Sequence, residues 1–364
     1  MKINGKPYRT IWVAADGWSV EVIDQTKLPH KLEIVALKSA EDAARAIKQM
    51  IVRGAPLIGA TAAYGLAMAL RADSSDENLE AACAMLAETR PTAINLRWAL
   101  NEVASAVRNR PRDERVAAAY ARASDICEED VETCRRIGEN GLPLIEEIAA
   151  KKGKVNLLTH CNAGWLGCVD WGTALAPIYM AYDKGIDIHV WVDETRPRNQ
   201  GASLSAFELS GHGVKHTIIP DNAGGHLMQD GQVDICIVGT DRVTANGDVA
   251  NKIGTYLKAL AAKDNDVPFH VALPHTTIDW TMPKGVGVIP IEERSADEVL
   301  KMTGRLPDGG LATVEIANPG SPAANPGFDV TPARLVTGFI TERGRAAASE
   351  EGLLGLYPER RKPA

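Results

Sequence analysis

The sequence has no C-x-x-C pair, and its six cysteines, Cys83, Cys127, Cys134, Cys161, Cys168 and Cys236, are scattered along 364 residues. Such spacing signals neither a zinc site nor a disulfide framework, so reduced thiols are expected. Cys127 and Cys134, seven apart in a helical stretch, read as small hydrophobes on one helix face. The eight histidines show no metal-ligand spacing, and no metal is expected. Runs of Lys or Arg are also missing, and the net charge is −7 with a pI near 5.7. This argues against a nucleic-acid surface and requires a local site for any anionic ligand. No apolar run approaches the roughly 20 residues of a membrane helix, and the polar first ten residues lack a cleavable-leader pattern. The expectation is a cytoplasmic protein with no membrane partner. Finally, no G-x-G-x-x-G follows a strand, which disfavours a dinucleotide oxidoreductase.

What remains is ordinary globular composition, 45% hydrophobic and 24% charged, in a chain long enough for two domains. Alternation over residues 8–13 and 19–23, with Asp16-Gly17 between, predicts a hairpin. Ser39 followed by Asp42 is a helix-capping pair ahead of an apolar face formed by Ala43, Ala44, Ile47, Met50 and Ile51. Further helices are expected at about 57–70, 94–107, 114–138 and 144–150. From about 153 the rhythm changes to short apolar runs, at 155–159, 188–192, 217–219, 235–238 and 269–273, each followed by a turn and a helical stretch. The fold class is therefore α/β. A mainly helical N-terminal domain with a β-hairpin spans 1–150, and a doubly wound parallel-sheet domain spans 151–364. Strands apolar on both faces are expected in the sheet interior, with ligands at their C-terminal ends. Residues 318–332 read as a loop, and 347–364 as a frayed tail.

Polar groups cluster just past these strand ends. In Thr159-His160-Cys161-Asn162-Ala163-Gly164, Cys161 stands between a strand terminus and an expected helix start, although a buried structural cysteine is the commoner reading of position alone. Residues 192–201 are dense in hydrogen-bonding groups suited to a polyhydroxylated or phosphorylated ligand, or to internal acid–Arg pairs. Asp241 follows an apolar strand, where desolvation favours the neutral carboxylic acid that a general acid needs; capping a following helix or pairing with Arg242 competes. Arg53-Gly54-Ala55-Pro56 offers a guanidinium fork and a close backbone approach for phosphate. Arg90-Pro91-Thr92 and residues 274–279 are weaker signals. His160 is most simply a core or loop histidine.

Taken in order, RGAPLIGATAAYG (53–65), RPTAINL (90–96), LTHCNAG (158–164), residues 192–209, VGTDRVTANGDVANKIGTY (238–256) and TPARLVTGFITERG (331–344) resemble the methylthioribose-1-phosphate isomerase family. That family is related to the regulatory α, β and δ subunits of the eukaryotic initiation-factor exchange complex. The resemblance implies catalytic roles for Cys161 and Asp241, and substrate contacts at Arg53, Gly54, Ala55, Arg90, Gln200, Asn251 and Lys252. It further implies a small N-terminal domain, a Rossmann-like C-terminal domain, a homodimer, a sugar-phosphate substrate and no cofactor. Thr240, Ser203 and Phe207 depart from residues common in the family, which bears on the substrate's side group more than on the reaction. Isomerases of ribose 1,5-bisphosphate or 5-deoxyribose 1-phosphate, and a non-catalytic sugar-phosphate-binding subunit, are the alternatives. A methylthio substrate would want an apolar pocket, for which Trp12, Trp165 and Phe207 are the sequence candidates.

Overall fold

Apolar–polar alternation places Ile11–Val13 against Val20–Ile23 as the expected antiparallel hairpin, with Ile11 opposite Val22. The Asp16 carboxylate closes the turn by accepting from the Trp18 and Ser19 N–H groups and from the Ser19 hydroxyl. A third strand, Ile34–Leu37, pairs with Val20–Ile23. These relationships come from a computed structural model that describes every residue except 4, 91, 92 and 362–364. The Pro91-Thr92 step of the Arg90 motif and the last three residues of the expected tail thus lie outside the described residues.

Helix Ala40–Lys48 starts at the expected cap, the Ser39 hydroxyl accepting the Asp42 N–H at 3.2 Å. Helix Ala55–Ala72 is apolar all round and is buried along nearly its whole length. Helix Asp76–Ala87 has no counterpart among the expected elements, and Ile94–Val107 matches its expected span. One expectation is corrected outright. Residues 114–138 and 144–150 are not two helices but parts of one 41-residue helix, Arg112–Lys152, which runs through Pro143. Packing outweighs the lost hydrogen bond: Gly138 and Gly141 let Met180 and Pro177 of helix Ala176–Asp183 approach so closely that an added Cβ would meet them at 2.7 and 2.9 Å. The first half of the long helix (Ala119, Ala123, Ile126) belongs to the core of the N-terminal helices. Its second half (Ile137, Leu142, Ile145) belongs to a core under the large sheet.

That sheet has seven strands: β1 (Lys154–Thr159), β2 (Asp187–Asp193), β3 (His216–Ile219), β4 (Ile235–Val238), β5 (Phe269–Ala272), β6 (Gly338–Thr341) and β7 (Gly344–Ala346). Their spatial order is β7-β6-β5-β4-β1-β2-β3, and all pairs are parallel except β6–β7. Adjacent residues serve opposite faces. Leu157, Ile235, Ile237, Ala272 and Ile340 join one core, while Leu158, Cys236, Val238, Val271 and Phe339 join the other. Apolar runs without alternation are what a sheet covered on both sides demands. β3 is a correction, since it forms the sheet's edge and leaves Ile218 48% exposed.

Two loop expectations also change. Within 318–332, Phe328–Thr331 is a strand pairing antiparallel with Val249–Lys252 in a second, four-stranded sheet that also holds Arg242–Thr244 and Ile278–Asp279. The supposed frayed tail contains helix Glu350–Leu356, capped by Ser349 and anchored by buried Leu353 and Tyr357. A hairpin of Lys301–Arg305 and Leu311–Glu315 gave no clear signal in the sequence. Among the described residues no helix is long and apolar enough to cross a membrane.

Candidate functional site

Strand order decides where the chemistry gathers. After β1 the chain leaves toward β2 on one side, and after β4 toward β5 on the other, so the segments following these neighbouring strands diverge and open a crevice. Leu158 pairs with Cys236 across the β1–β4 boundary, and the Thr159 hydroxyl donates to the Ile237 carbonyl at 2.9 Å. Cys161 and Asp241 emerge just beyond this point, and both line one cavity together with Arg53, Gly54, Ala55 and Asn251.

Cys161 is held rigidly in an unusual conformation. Its φ of 65° lies in the left-handed region, a strain of about 1–3 kcal/mol for a non-glycine residue. The surroundings enforce it: the Cys161 N–H donates to Thr195 Oγ1 at 2.8 Å, and its carbonyl accepts from the Ser205 hydroxyl at 2.7 Å. The thiol Sγ lies 3.7 Å from Gln200 Oε1. No long helix follows Cys161, contrary to expectation; the next elements are a single 3₁₀ turn, Trp165–Gly167, and a helix that begins only at Ala176. The positive helix end at the cavity comes instead from Ala55–Ala72, whose first residues form its wall. Gly54 makes this approach possible. Its φ is 89°, and a Cβ there would lie 2.3 Å from the Gly167 carbonyl oxygen.

Asp241 leads into strand Arg242–Thr244, so there is no helix for it to cap; its N–H donates to the Ala250 carbonyl at 3.0 Å. Arg242 pairs with Asp279 at 3.5 Å. Asn251 and Lys252 sit on the adjoining strand, Val249–Lys252. Asn251 Nδ2 donates to Thr255 Oγ1 at 3.0 Å. The Lys252 ammonium is buried, donating to the Gly327 carbonyl at 3.0 Å and lying 4.3 Å from the Phe328 ring centroid.

The remaining expected residues stand at the cavity's borders. Arg90 lines an adjoining space that shares Ala55 and Asp241 as walls, and its buried Nε–H has no hydrogen-bond partner among the described residues. Gln200 and Arg53 border a larger cavity on the other side, which Ser203 also lines. The aromatic trio expected near the ligand is corrected: Trp165 is a core residue, with Trp12 and Phe207 packed against the same core. Apolar walls beside Asp241 come from Ile58, Ile289, Ile291 and Phe328.

Burial pushes the Cys161 thiol up from its ordinary range, against the opposing pull of Arg53 and Lys252. Burial likewise lowers the Lys252 ammonium, partly offset by Cys161 and Asp241. A buried thiol and a buried ammonium thus lie close enough to influence each other, with Asp241 acting on both.

One supporting residue, Glu208, was not among the candidates read from the sequence. Glu208 lies buried beneath the Cys161 loop and accepts from Asn162 Nδ2, the Trp165 and Leu166 N–H groups and the Tyr179 hydroxyl, all at 2.7–2.9 Å. Its isolation as one acid among apolar residues in helix Ala206–His212 was the only available hint. His160 is structural, bridging Asp193 through Nδ1 and the Ile253 carbonyl through Nε2, both at 2.8 Å. In the 192–201 loop, Arg198 pairs with the distant Glu298 and Arg196 donates to the Val299 carbonyl, so its arginines fasten a remote segment.

Residues 51–348 match the model of the initiation factor 2 subunit family. A methylthioribose-1-phosphate isomerase of Methylorubrum populi is 67% identical, over all of both chains. One of Brucella anthropi is 64% identical over 99% of this chain and all of its own. Among solved structures, 5-methylthioribose 1-phosphate isomerase from Pyrococcus horikoshii OT3 superposes with a TM-score of 0.83 at 41% identity, covering 97% of each chain. A protein described as translation initiation factor eIF-2B subunit delta from A. fulgidus gives 0.79 at 37% identity, covering 97% of this chain and all of that one. With these matches spanning the crevice and both of its flanking segments, the chain belongs to the initiation factor 2 subunit family and, within it, to the methylthioribose-1-phosphate isomerases.

Proposed function

We propose that the protein converts 5-methylthioribose 1-phosphate to 5-methylthioribulose 1-phosphate, with Asp241 as general acid and Cys161 at the migrating hydrogen. The observation that carries this reading is that both side chains line one cavity walled by a helix N-terminus. Phosphate on the anomeric oxygen prevents the sugar from opening to a free aldehyde, so the ring must open with phosphate attached. Asp241 protonates the ring oxygen, leaving a cationic carbon one that bears the phosphate oxygen. The hydrogen on carbon two then moves to carbon one, and the carbon-two hydroxyl gives up its proton to become the ketone.

Cys161 serves this step in one of two ways: as a thiolate that removes a proton, or as a shield and positioner for a hydride shift. The buried, upshifted thiol favours the hydride route. Phosphate is held by Arg53, Arg90 and the backbone at Gly54 and Ala55, where the end of helix Ala55–Ala72 favours an anion. Gln200, Asn251 and Lys252 hold hydroxyl groups. The Arg90 Nε–H, without a partner among the described residues, supports its place in this set.

The test is ketose formation from 5-methylthioribose 1-phosphate, 5-deoxyribose 1-phosphate and ribose 1,5-bisphosphate, with no cofactor added. The methylthio sugar should give the highest kcat/KM, because Ile58, Ile289, Ile291 and Phe328 offer its methylthio group apolar contact. No ketose from any sugar, or a preference for the bisphosphate, would overturn the assignment.

We further infer a cytoplasmic homodimer that needs no cofactor and binds no nucleic acid, with domains 1–150 and 151–364. A core drawn from residues 11–127, with Val169 as its one buried member from beyond residue 150, supports a separate N-terminal unit. A Rossmann-like description of the sheet is supported by its six parallel strands, whose spatial order is 3-2-1-4-5-6. Exposed Val288, Leu311, Val314 and Ile316 support self-association.

A further inference from the structure

We propose that Asp130, Cys134 and Cys168 form a site for a thiophilic divalent cation, Zn²⁺, behind the wall of the catalytic cavity. Asp130 and Cys134 lie one turn apart on helix Arg112–Lys152, while Cys168 follows the 3₁₀ turn after the Cys161 loop. Their three ligand atoms all lie within 4.8 Å of one another, and Cys134 Sγ is 3.8 Å from Asp130 Oδ1. Tetrahedral zinc with thiolate and carboxylate ligands separates neighbouring ligand atoms by about 3.6–3.8 Å, so small side-chain adjustments suffice.

The surroundings orient these ligands. Asp130 Oδ2 accepts the Val169 N–H at 2.7 Å, turning Oδ1 toward Cys134, and the Thr10 hydroxyl fixes the Cys168 carbonyl at 2.5 Å. The N-terminal ammonium nearby is already committed to Asp170. A second cluster among the described residues, His160 with Asp193 and Asp221, is already occupied by a cation, because the Lys258 ammonium stands 3.2 Å from Asp193 Oδ2.

Access is available from two sides. Cys168 lines the catalytic cavity, and Asp130 lines a neighbouring cleft that also includes Trp98 and His275. Two sulfur donors select zinc over magnesium or calcium, and water from the cleft would supply the fourth ligand. Binding releases the two thiol protons and fastens the long helix to the segment behind Cys161.

Titration with Cd²⁺, a spectroscopic stand-in for zinc, tests the site through thiolate-to-metal absorption in the ultraviolet. Wild type and Cys161→Ser should both saturate at one equivalent with two-thiolate intensity. Cys134→Ser should lose at least half of that signal and bind at least 10-fold more weakly, with turnover in the absence of cation unchanged. Zinc should also raise the melting temperature of wild type and of Cys161→Ser, but not of Cys134→Ser. Unaltered binding by Cys134→Ser, loss of the signal in Cys161→Ser, or no absorption in wild type would each overturn the proposal. The absorption and melting readouts do not depend on the isomerase reaction.

Discussion

Arg53 donates to both the side-chain oxygen and the backbone carbonyl of Asn162, the latter at 2.7 Å, so the start of helix Ala55–Ala72 is tied to the residue after Cys161. One planar guanidinium thereby joins the helix end to the thiol-bearing loop. A lysine's compact ammonium lacks the planar fork whose two nitrogens meet these acceptors separately. Arg53→Lys should lower kcat/KM by about 10²-fold or more, since misplacement of about 1 Å costs that much. Steady-state kinetics on a folded variant gives the answer; near-normal values would mean that the fork is dispensable.

Gly54 is constrained more severely. With φ at 89° and the Gly167 carbonyl where a Cβ would stand, Gly54→Ala should destabilise the fold by at least about 1–3 kcal/mol. Thermal unfolding measures this. An unchanged melting temperature would show that the helix can retreat from the loop at no cost.

Cys161→Ser and Asp241→Asn should each bind substrate nearly as well as wild type while turnover falls by orders of magnitude, as befits groups that act in the transition state. Binding by calorimetry beside turnover separates the two effects. In deuterated water the hydride route leaves carbon one of the product unlabelled; deuterium found there would favour the proton route.

Glu208→Gln replaces one acceptor oxygen by an amide, so two of the four donors that converge on it lose their partner. Each unsatisfied buried donor costs about 1–3 kcal/mol, so a clear fall in denaturant midpoint is expected, with turnover reduced through the displaced Cys161 loop. A variant as stable and active as wild type would refute a supporting role.

Burial alone would raise the Glu298 carboxyl, but hydrogen bonds from Arg294 and Arg198 hold it down at about 2. Because its folded value lies below the unfolded 4.5, its stabilisation is present above about pH 4.5 and is lost as pH falls toward 2. Glu298→Gln should speed hydrogen exchange in hairpin Lys301–Arg305/Leu311–Glu315 at neutral pH and flatten the acid dependence. Exchange identical to wild type would show that the ion pairs do not hold this segment.

Much of the fold was legible because the signals were local. Ser39 with Asp42 marks a helix start by hydrogen-bonding chemistry that needs no distant partner. Apolar runs such as 235–238 mark strands covered on both faces. Pro143 misled because its helix-breaking cost is local while the compensating contacts of Gly138 and Gly141 with helix Ala176–Asp183 are not. Likewise, apolar content could not tell the edge strand β3 from an interior one, since its neighbours follow from chain topology.

The sequence by itself determined the mixed α/β class and the glycine at 54, which depend on residue type and short-range order, while its family resemblance singled out Cys161 and Asp241 as the thiol and carboxyl to examine. Only the tertiary structure decided that Cys161 meets Asp241 where the strand order reverses, that the nearby helix end belongs to Ala55–Ala72, and that Cys134 lies beside Cys168. Those encounters are set by which strands pair and which helices pack, and pairing across many tens of residues leaves no periodicity in the chain for a reader to find.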